Sequence, residues 1–351
     1  QIGRILAQAI SAQLGGQRHS LGVDSMNAIL AKSRKSLAIA AGSCSVLWLA
    51  NRTPLREAKV GDGRRKTVLV TGGTNGLGLA TVKRLSERGD LVLTCGRDPA
   101  RVAAVNELPN VRALVCDLNK EEAIDGLLEK VSTELKGRPL DVLINNAGVQ
   151  RHGDPILDER SLGRLDEAWA ANVRAPVVLT QKLWPYLRQA EYPIIINVGS
   201  TCSHQKFAGA FFLGYPVTKA ALKCFSNTLR QEAALVHPTA RVVHFTTGAF
   251  QTDLIFDAPG RAAANLRSYG SPFELSADGL YKKQDEAFRL LSPARAEDFA
   301  DAVAAVVHPA RGEGSLLPEY VLNASLLERL VPWLPQSLLD RNMESLRPAP
   351  A

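Results

Sequence analysis

Residues 67–78 read TVLVTGGTNGLG and restrict the fold more than any other stretch. The β-branched and apolar run at 67–71 makes a strand buried on both faces. Glycines at 72, 76 and 78 stop it, a helical pattern follows over 79–88, and a second strand-like run occupies 91–95. Strand, glycine turn, helix and strand in this order form a βαβ unit, which needs a parallel sheet with the helix on its face. The glycines also let the backbone come close to a pyrophosphate, and the start of the helix offers N–H groups that no carbonyl has taken.

The alternation continues down the chain. Strand-like runs at 111–116, 141–145, 194–198, 241–246 and 319–322 are separated by helical patterns at 121–136, 162–189 and 211–236. The expected architecture is α/β, a Rossmann-type doubly wound parallel sheet of about seven strands with helices on both faces. Asn172 falls inside the long pattern 162–189. Asparagine is a poor helix-interior residue, so its place there invites a functional reading. The chain divides into an N-terminal extension 1–66, the sheet domain 67–325 and a C-terminal helical tail 326–351.

Charge bears on partners. The net charge is +7, but residues 1–66 hold eleven of the 42 Lys and Arg and three of the 35 Asp and Glu. The rest of the chain is close to neutral, which argues against nucleic acid as a partner of the folded body. Five scattered cysteines without paired spacing indicate reduced thiols and no disulfide framework. Cys202 and His204 make too small a set for a metal site, so no metal is expected.

The chemistry points to one region. Tyr215 and Lys219 stand four residues apart, which places them on one helix face, one turn from each other. An ammonium beside a phenol favours the phenolate, so the phenol is expected to ionise more easily. Ser200 ends the apolar run 194–198 and delivers a hydroxyl from a strand end. Together these groups can hold a carbonyl oxygen and move a proton to or from it. After the second strand come Gly96 and Arg97, where an acid would read the 2′-hydroxyl of NAD. A guanidinium in place of a carboxylate favours a 2′-phosphate, hence NADP(H).

TGGTNGLG at 71–78, CDL at 116–118, NNAG at 145–148, then Asn172, Ser200 and Tyr215-x-x-x-Lys219, in that order, resemble the short-chain dehydrogenase/reductase (SDR) family. The resemblance covers roughly residues 66–325 and implies one Rossmann domain with a seven-stranded sheet. By resemblance, Tyr215 is the acid/base, Lys219 lowers its pKa and binds the nicotinamide ribose, Ser200 hydrogen-bonds the reacting oxygen, and Asn172 holds a water linking Lys219 to solvent. The cofactor set implied is Thr71, Gly72, Gly76, Leu77, Gly78, Arg97, Asp117, Leu118, Asn146, Ala147, Gly148, Gly248 and Thr252, together with Tyr215 and Lys219. In it the glycines face the pyrophosphate, Asp117 meets the adenine amino group, residues 145–148 shape the adenine side, and Thr252 reaches the carboxamide or phosphate. The chain departs from the family pattern in three places. Thr247 and Gly248 replace Pro-Gly, the loop between Ser200 and Tyr215 is two residues longer, and no Gly-Gly follows the last strand.

The implied activity is an NADP(H)-dependent interconversion of a carbonyl and an alcohol on a hydrophobic small molecule. The alternative is an accessory subunit of a larger organellar or membrane assembly that binds nucleotide mainly for structure. Residues 254–291 fall where a substrate lid belongs, and they carry Ile255, Phe256, Tyr269, Phe273, Leu280 and Tyr281. Such a segment either meets a hydrophobic substrate or packs on itself or a partner chain. Residues 1–56 carry one acid, Asp24, and many Ser, Ala and Gln, a composition like that of targeting or membrane-proximal segments. Residues 37–50 form an uncharged apolar run shorter than a full membrane span, with Trp48 near its end. Membrane contact through this extension and a helix packed on the body are equal readings. The location expected is organellar and membrane-associated, mitochondrial first and endoplasmic reticulum second. A homo-oligomer and a larger assembly both stay open.

Overall fold

A computed structural model describes residues 64–204, 209–212, 214–254, 258–290, 293–309 and 319–324. The apolar run 37–50, the tail 326–351, and Ile255 and Phe256 of the expected substrate region lie outside the described residues. Seven strands carry the fold: β1 (Thr67–Thr71), β2 (Leu91–Gly96), β3 (Val111–Val115), β4 (Val142–Asn145), β5 (Ile194–Val198), β6 (Arg241–Thr247) and β7 (Glu319–Leu322). They form one sheet in the order β3-β2-β1-β4-β5-β6-β7, and every neighbouring pair is parallel. The order reverses between β1 and β4, and at such a switch point a crevice opens beyond the carboxyl ends of the strands.

Strand period sorts the side chains onto two faces. Val68 and Val70 of β1, Val142 and Ile144 of β4, and Ile194 and Ile196 of β5 pack in one buried cluster. That cluster receives helices α1 (Gly76–Glu87), α2 (Pro99–Asn106) and, late in the chain, Ala296–Val307. The intervening Leu69, Leu143 and Ile195 face a second cluster, formed with α3 (Glu121–Leu135) and with helices at Ala175–Leu187 and Gly214–Val236. Leu69, Val70, Leu143 and Ile144 are fully buried. Each such side chain contributes on the order of 1.5–3 kcal/mol relative to exposure. Strands apolar on both faces thus dictate a sheet covered on both sides.

Two features differ from the sequence expectation, and a third bears on an alternative left open there. Helix α2 was not anticipated, although Asp98 is its N-cap and accepts from the backbone N–H of Ala100 and Arg101, with Pro99 in the first turn. The pattern 162–189 is not one uniform helix. It runs as α4 (Leu162–Trp169), a π turn (Ala170–Arg174) and α5 (Ala175–Leu187). Within 254–291, helices α7 (Ala258–Ser268) and α8 (Ala277–Leu290) bury Ala262, Ala263, Leu266, Ala277 and Leu280 against one another. Leu280 therefore packs within this segment, one of the readings the sequence left open for it, and Tyr269 is buried too. The helix carrying Tyr215 is α6 (Gly214–Val236), and the last described helix is α9 (Ala296–Val307). No helix among the described residues is long and apolar enough to cross a membrane.

Candidate active site

The carboxyl end of β5 delivers the hydroxyl. Gly199 donates to the carbonyl of Phe245 at 2.7 Å, which keeps the chain in register with β6 for one residue beyond the strand. Ser200 follows in an extended conformation, and its Oγ accepts from the N–H of Cys202 at 3.1 Å, starting a short 3₁₀ turn. The amino end of α6 delivers the phenol. Because the helix begins at Gly214, Pro216 falls in its first turn, where its missing N–H leaves no bond unmade. Ser200 and Tyr215 lie close enough for the hydroxyl to act on the phenol, and both are buried. One turn further along, Lys219 is buried as well. Its Nζ donates to the carbonyl of Val198 at 2.7 Å and lies over the Tyr215 ring, 5.6 Å from the centroid.

Burial governs the charges of this pair. Desolvation pushes the Tyr215 phenol well above its ordinary range, the nearby Cys202 adds to the rise, and the Ser200 hydroxyl opposes it. Desolvation also pulls Lys219 down from 10.5 to about 8. The sequence expectation of a phenol made easier to ionise by its neighbouring ammonium is thus reversed in the protein alone. The reason is geometric: Nζ is directed to a main-chain carbonyl and sits over the ring face, while the whole phenol has left water.

Asn172 occupies the middle of the π turn and is fully buried. An extra residue in a helical turn rotates the following side chains, a common device at functional sites. Here it lets the carboxamide reach two elements at once. Nδ2 donates to the Val149 carbonyl and to Thr218 Oγ1, both at 2.9 Å, and Oδ1 accepts from the Val149 N–H at 2.8 Å. Asn172 therefore fastens the loop after β4 to α6. A Cβ on Gly148 would stand 3.2 Å from Asn172 Oδ1 and 3.4 Å from Lys219 Nζ, so these groups gather around that glycine.

The turn after β1 fits a dinucleotide. Gly72 and Gly76 have φ of +66° and +52°, a region in which L side chains are strained. A Cβ on Gly72 would meet the Ala147 backbone at 2.9 Å, and one on Gly78 would meet the Gly72 carbonyl at 2.3 Å. Asn75, the N-cap of α1, makes no capping bond with its side chain, which donates instead to Asp253, and the first turn carries no acid. Leu77 sits in that first turn, partly exposed. The N–H groups at the helix start are thereby left for an anion. A Cβ on Gly76 would stand 3.3 Å from Thr252 Cγ2. Asn146 Nδ2 donates to the carbonyl of Thr71, and Thr71 Oγ1 accepts from the N–H of Asn146 and of Ala147, which binds the two loops of the crevice to each other.

The remaining predicted residues divide. Arg97 is exposed just beyond β2. Asp117 is partly exposed with its carboxylate accepting from Asn119 N–H, and Leu118 is buried against the α3 side of the sheet. Gly248 donates to the Leu322 carbonyl, and a Cβ there would come within 2.1 Å of the Asn323 carbonyl, so β7 is what requires glycine. Asn145 is buried and donates to Asn197 Oδ1 at 2.8 Å between β4 and β5. Asn197 Nδ2 donates to Ser226 Oγ, which itself donates to the Leu222 carbonyl and meets His244 Nδ1, a buried chain that the sequence reading missed. Its only sequence signal is polar residues inside otherwise apolar strands. Burial pushes His244 down to about 4, so this imidazole is neutral.

Comparison with known proteins agrees with this fold. The short chain dehydrogenase family matches residues 66–258. The uncharacterized oxidoreductase DltE of Bacillus subtilis is 37% identical over 167 residues, covering 47% of this chain and 65% of DltE, just under two thirds of its length. A farnesol dehydrogenase of Aedes aegypti is 28% identical over 197 residues, 54% of this chain and 79% of the enzyme. A 3-ketoacyl-(acyl-carrier-protein) reductase of Brucella melitensis, solved with NADH, superposes with a TM-score of 0.56 at 22% identity, over 73% of this chain and 96% of its own, a likeness of fold.

Proposed function

The chain belongs to the short chain dehydrogenase family, and on that premise we propose that it is an NADP(H)-dependent oxidoreductase interconverting a carbonyl and an alcohol on a hydrophobic small molecule. The observation that carries this reading is the meeting of Ser200, Tyr215 and Lys219 at the carboxyl end of β5, next to a turn that accepts a pyrophosphate. A bound nicotinamide supplies the hydride. Tyr215 gives its proton to the carbonyl oxygen in reduction and takes it back in oxidation, and Ser200 hydrogen-bonds the same oxygen. A phenol raised by burial holds its proton at neutral pH, which suits donation. The reading of NADP(H) rests on Arg97 and on the lack of an acid directly after β2. The reading of a hydrophobic substrate rests on the apolar and aromatic character of residues 254–291. In the same reading the basic extension brings the enzyme to an organellar membrane, mitochondrial first.

The test is a screen that follows NADPH absorbance over ketosteroids, retinoids, quinones, acyl ketones and farnesal. Tyr215→Phe should cut turnover by roughly 10²–10⁴-fold while NADPH binding, read by fluorescence, is kept. Retained turnover refutes the assignment of Tyr215.

A further inference from the structure

The Tyr215 ring is held by more than its own helix. Phe212, three residues earlier, stacks on it with centroids 5.9 Å apart and planes inclined by 20°. His152, in the loop after β4, stacks on Phe212 at 4.0 Å and 8°. The three rings form a stack that runs from that loop to the first turn of α6, with the Lys219 ammonium over its last member.

The backbone fixes this stack on both sides. Phe211 has φ of +59°, a rare state for a bulky residue, and the turn it makes sends consecutive rings apart. Phe211 packs with α7 and α8, edge-on to Phe273, while Phe212 enters the stack. The N–H groups of Gly153 and Asp154 both donate to the Phe211 carbonyl, at 2.8 and 3.2 Å, and Asp154 pairs with Phe212 as a parallel bridge. Asn265 of α7 donates in turn to the carbonyls of His152 and Gly153 and to the Asp154 carboxylate. Gly153 lies so close to α7 that a Cβ would come within 2.1 Å of the Ala262 carbonyl. The His152 ring is thus anchored through its own main chain, and His152 Nδ1 is buried without a partner among the described residues. Left-handed backbone at a phenylalanine and a buried bare nitrogen both cost stability, and such costs persist where the surroundings over-determine them for a purpose.

A phenol in a first helical turn can rotate about two torsions, and proton transfer tolerates little misplacement. We propose that Phe212, backed by His152, is a positioning residue for Tyr215, holding the phenol ring so that its hydroxyl faces Ser200 and the reacting oxygen. This rests on the acid/base reading of Tyr215, and the experiment separates the two.

Phe212→Leu keeps apolar bulk and removes the ring, whereas Phe212→Tyr keeps the ring. With the fastest carbonyl of the screen, Phe212→Leu should lower kcat about tenfold with KM changed less than about twofold, and Phe212→Tyr should stay within about twofold of the parent. The solvent deuterium isotope effect on kcat should grow in Phe212→Leu, because the proton step slows. A second readout needs no substrate. In protein labelled with 3-fluorotyrosine, the Tyr215 resonance, assigned by its loss in Tyr215→Phe, should be ring-current shifted in the parent and Phe212→Tyr and relax toward the free value in Phe212→Leu. An unmoved resonance overturns the stack. A loss confined to KM, an unchanged isotope effect, or a Phe212→Tyr variant as slow as Phe212→Leu overturns the positioning role. Turnover retained in Tyr215→Phe removes the acid/base reading and with it the role proposed for Phe212, while the resonance still reports whether the rings are stacked.

Discussion

Lys219 should make this protein gain stability as the solution turns alkaline. Its side chain is buried, and desolvation draws its ammonium down from 10.5 to about 8. The unfolded chain keeps that proton up to 10.5, while the folded chain releases it near 8. Between those values the unfolded state binds more protons, so unfolding becomes harder as pH rises. Below pH 8 both states are protonated and the full cost of a buried charge is present. A displacement of about 2.5 units corresponds to about 3 kcal/mol. Lys219→Met removes the titration and leaves every other group in both proteins. The stability advantage of the Met variant over the parent should therefore shrink by about 3 kcal/mol between about pH 7 and about pH 10. Its absolute size also contains the lost bond from Nζ to Val198, but that contribution does not depend on pH in the same way. Urea unfolding of the two proteins by tryptophan fluorescence, in half-unit steps of pH at constant ionic strength, gives the difference directly. A difference flat to within about 1 kcal/mol across the range would show that Lys219 titrates like an exposed lysine, and burial would lose its place as the dominant influence on the catalytic pair.

Two further substitutions test other parts of the structure. Arg97→Ala should weaken NADPH binding by about tenfold or more and NADH binding by less than about twofold, since a lost bond to a charged phosphate is worth about 1.5–3 kcal/mol; equal losses in fluorescence titrations would exclude a 2′-phosphate role. Gly153→Ala forces a Cβ to 2.1 Å from the Ala262 carbonyl at φ of +74°, and should cost about 1–3 kcal/mol; an unchanged thermal midpoint would show that the loop and α7 are not in the contact described.

Much of this fold is legible in the sequence because its strands are apolar on both faces. Runs such as TVLVT and IIINV leave few other places for a strand to sit, and β5 and β7 fall where the residues indicated. Helix α2 escaped because its eight residues show little periodicity, and its one clear signal is the Asp98-Pro99 start. The π turn at Ala170–Arg174 is invisible to a helical template, because inserting a residue leaves composition untouched and changes only which way Asn172 points. The pair Tyr215 and Lys219 is picked out by type and spacing, whereas its environment is not. Four-residue spacing tells that Tyr215 and Lys219 share a face, but nothing in it tells that both are buried. The sign of the phenol shift depends on that burial, and the expectation failed there.

The π turn and the buried pair are parts of one arrangement. A phenol and an ammonium out of water both disfavour their charged forms, so each weakens the fold unless neighbouring groups hold it. The bond of Lys219 to Val198 ties α6 to β5. Asn172 supplies a second tie, through Thr218 on α6 and Val149 after β4, and it can do so because the helix carrying it departs from regular α geometry at that residue. Three elements that share no sequence proximity thus meet at the first two turns of α6. Loss of either tie frees the helix end that carries the phenol. On this argument Asn172→Ala should resemble a loss of orientation more than a loss of a proton carrier. NADPH affinity should stay near the parent value and kcat should fall, as proton transfer tolerates misplacement poorly. A variant with kcat intact and its fold retained would show that α6 holds its place without the carboxamide.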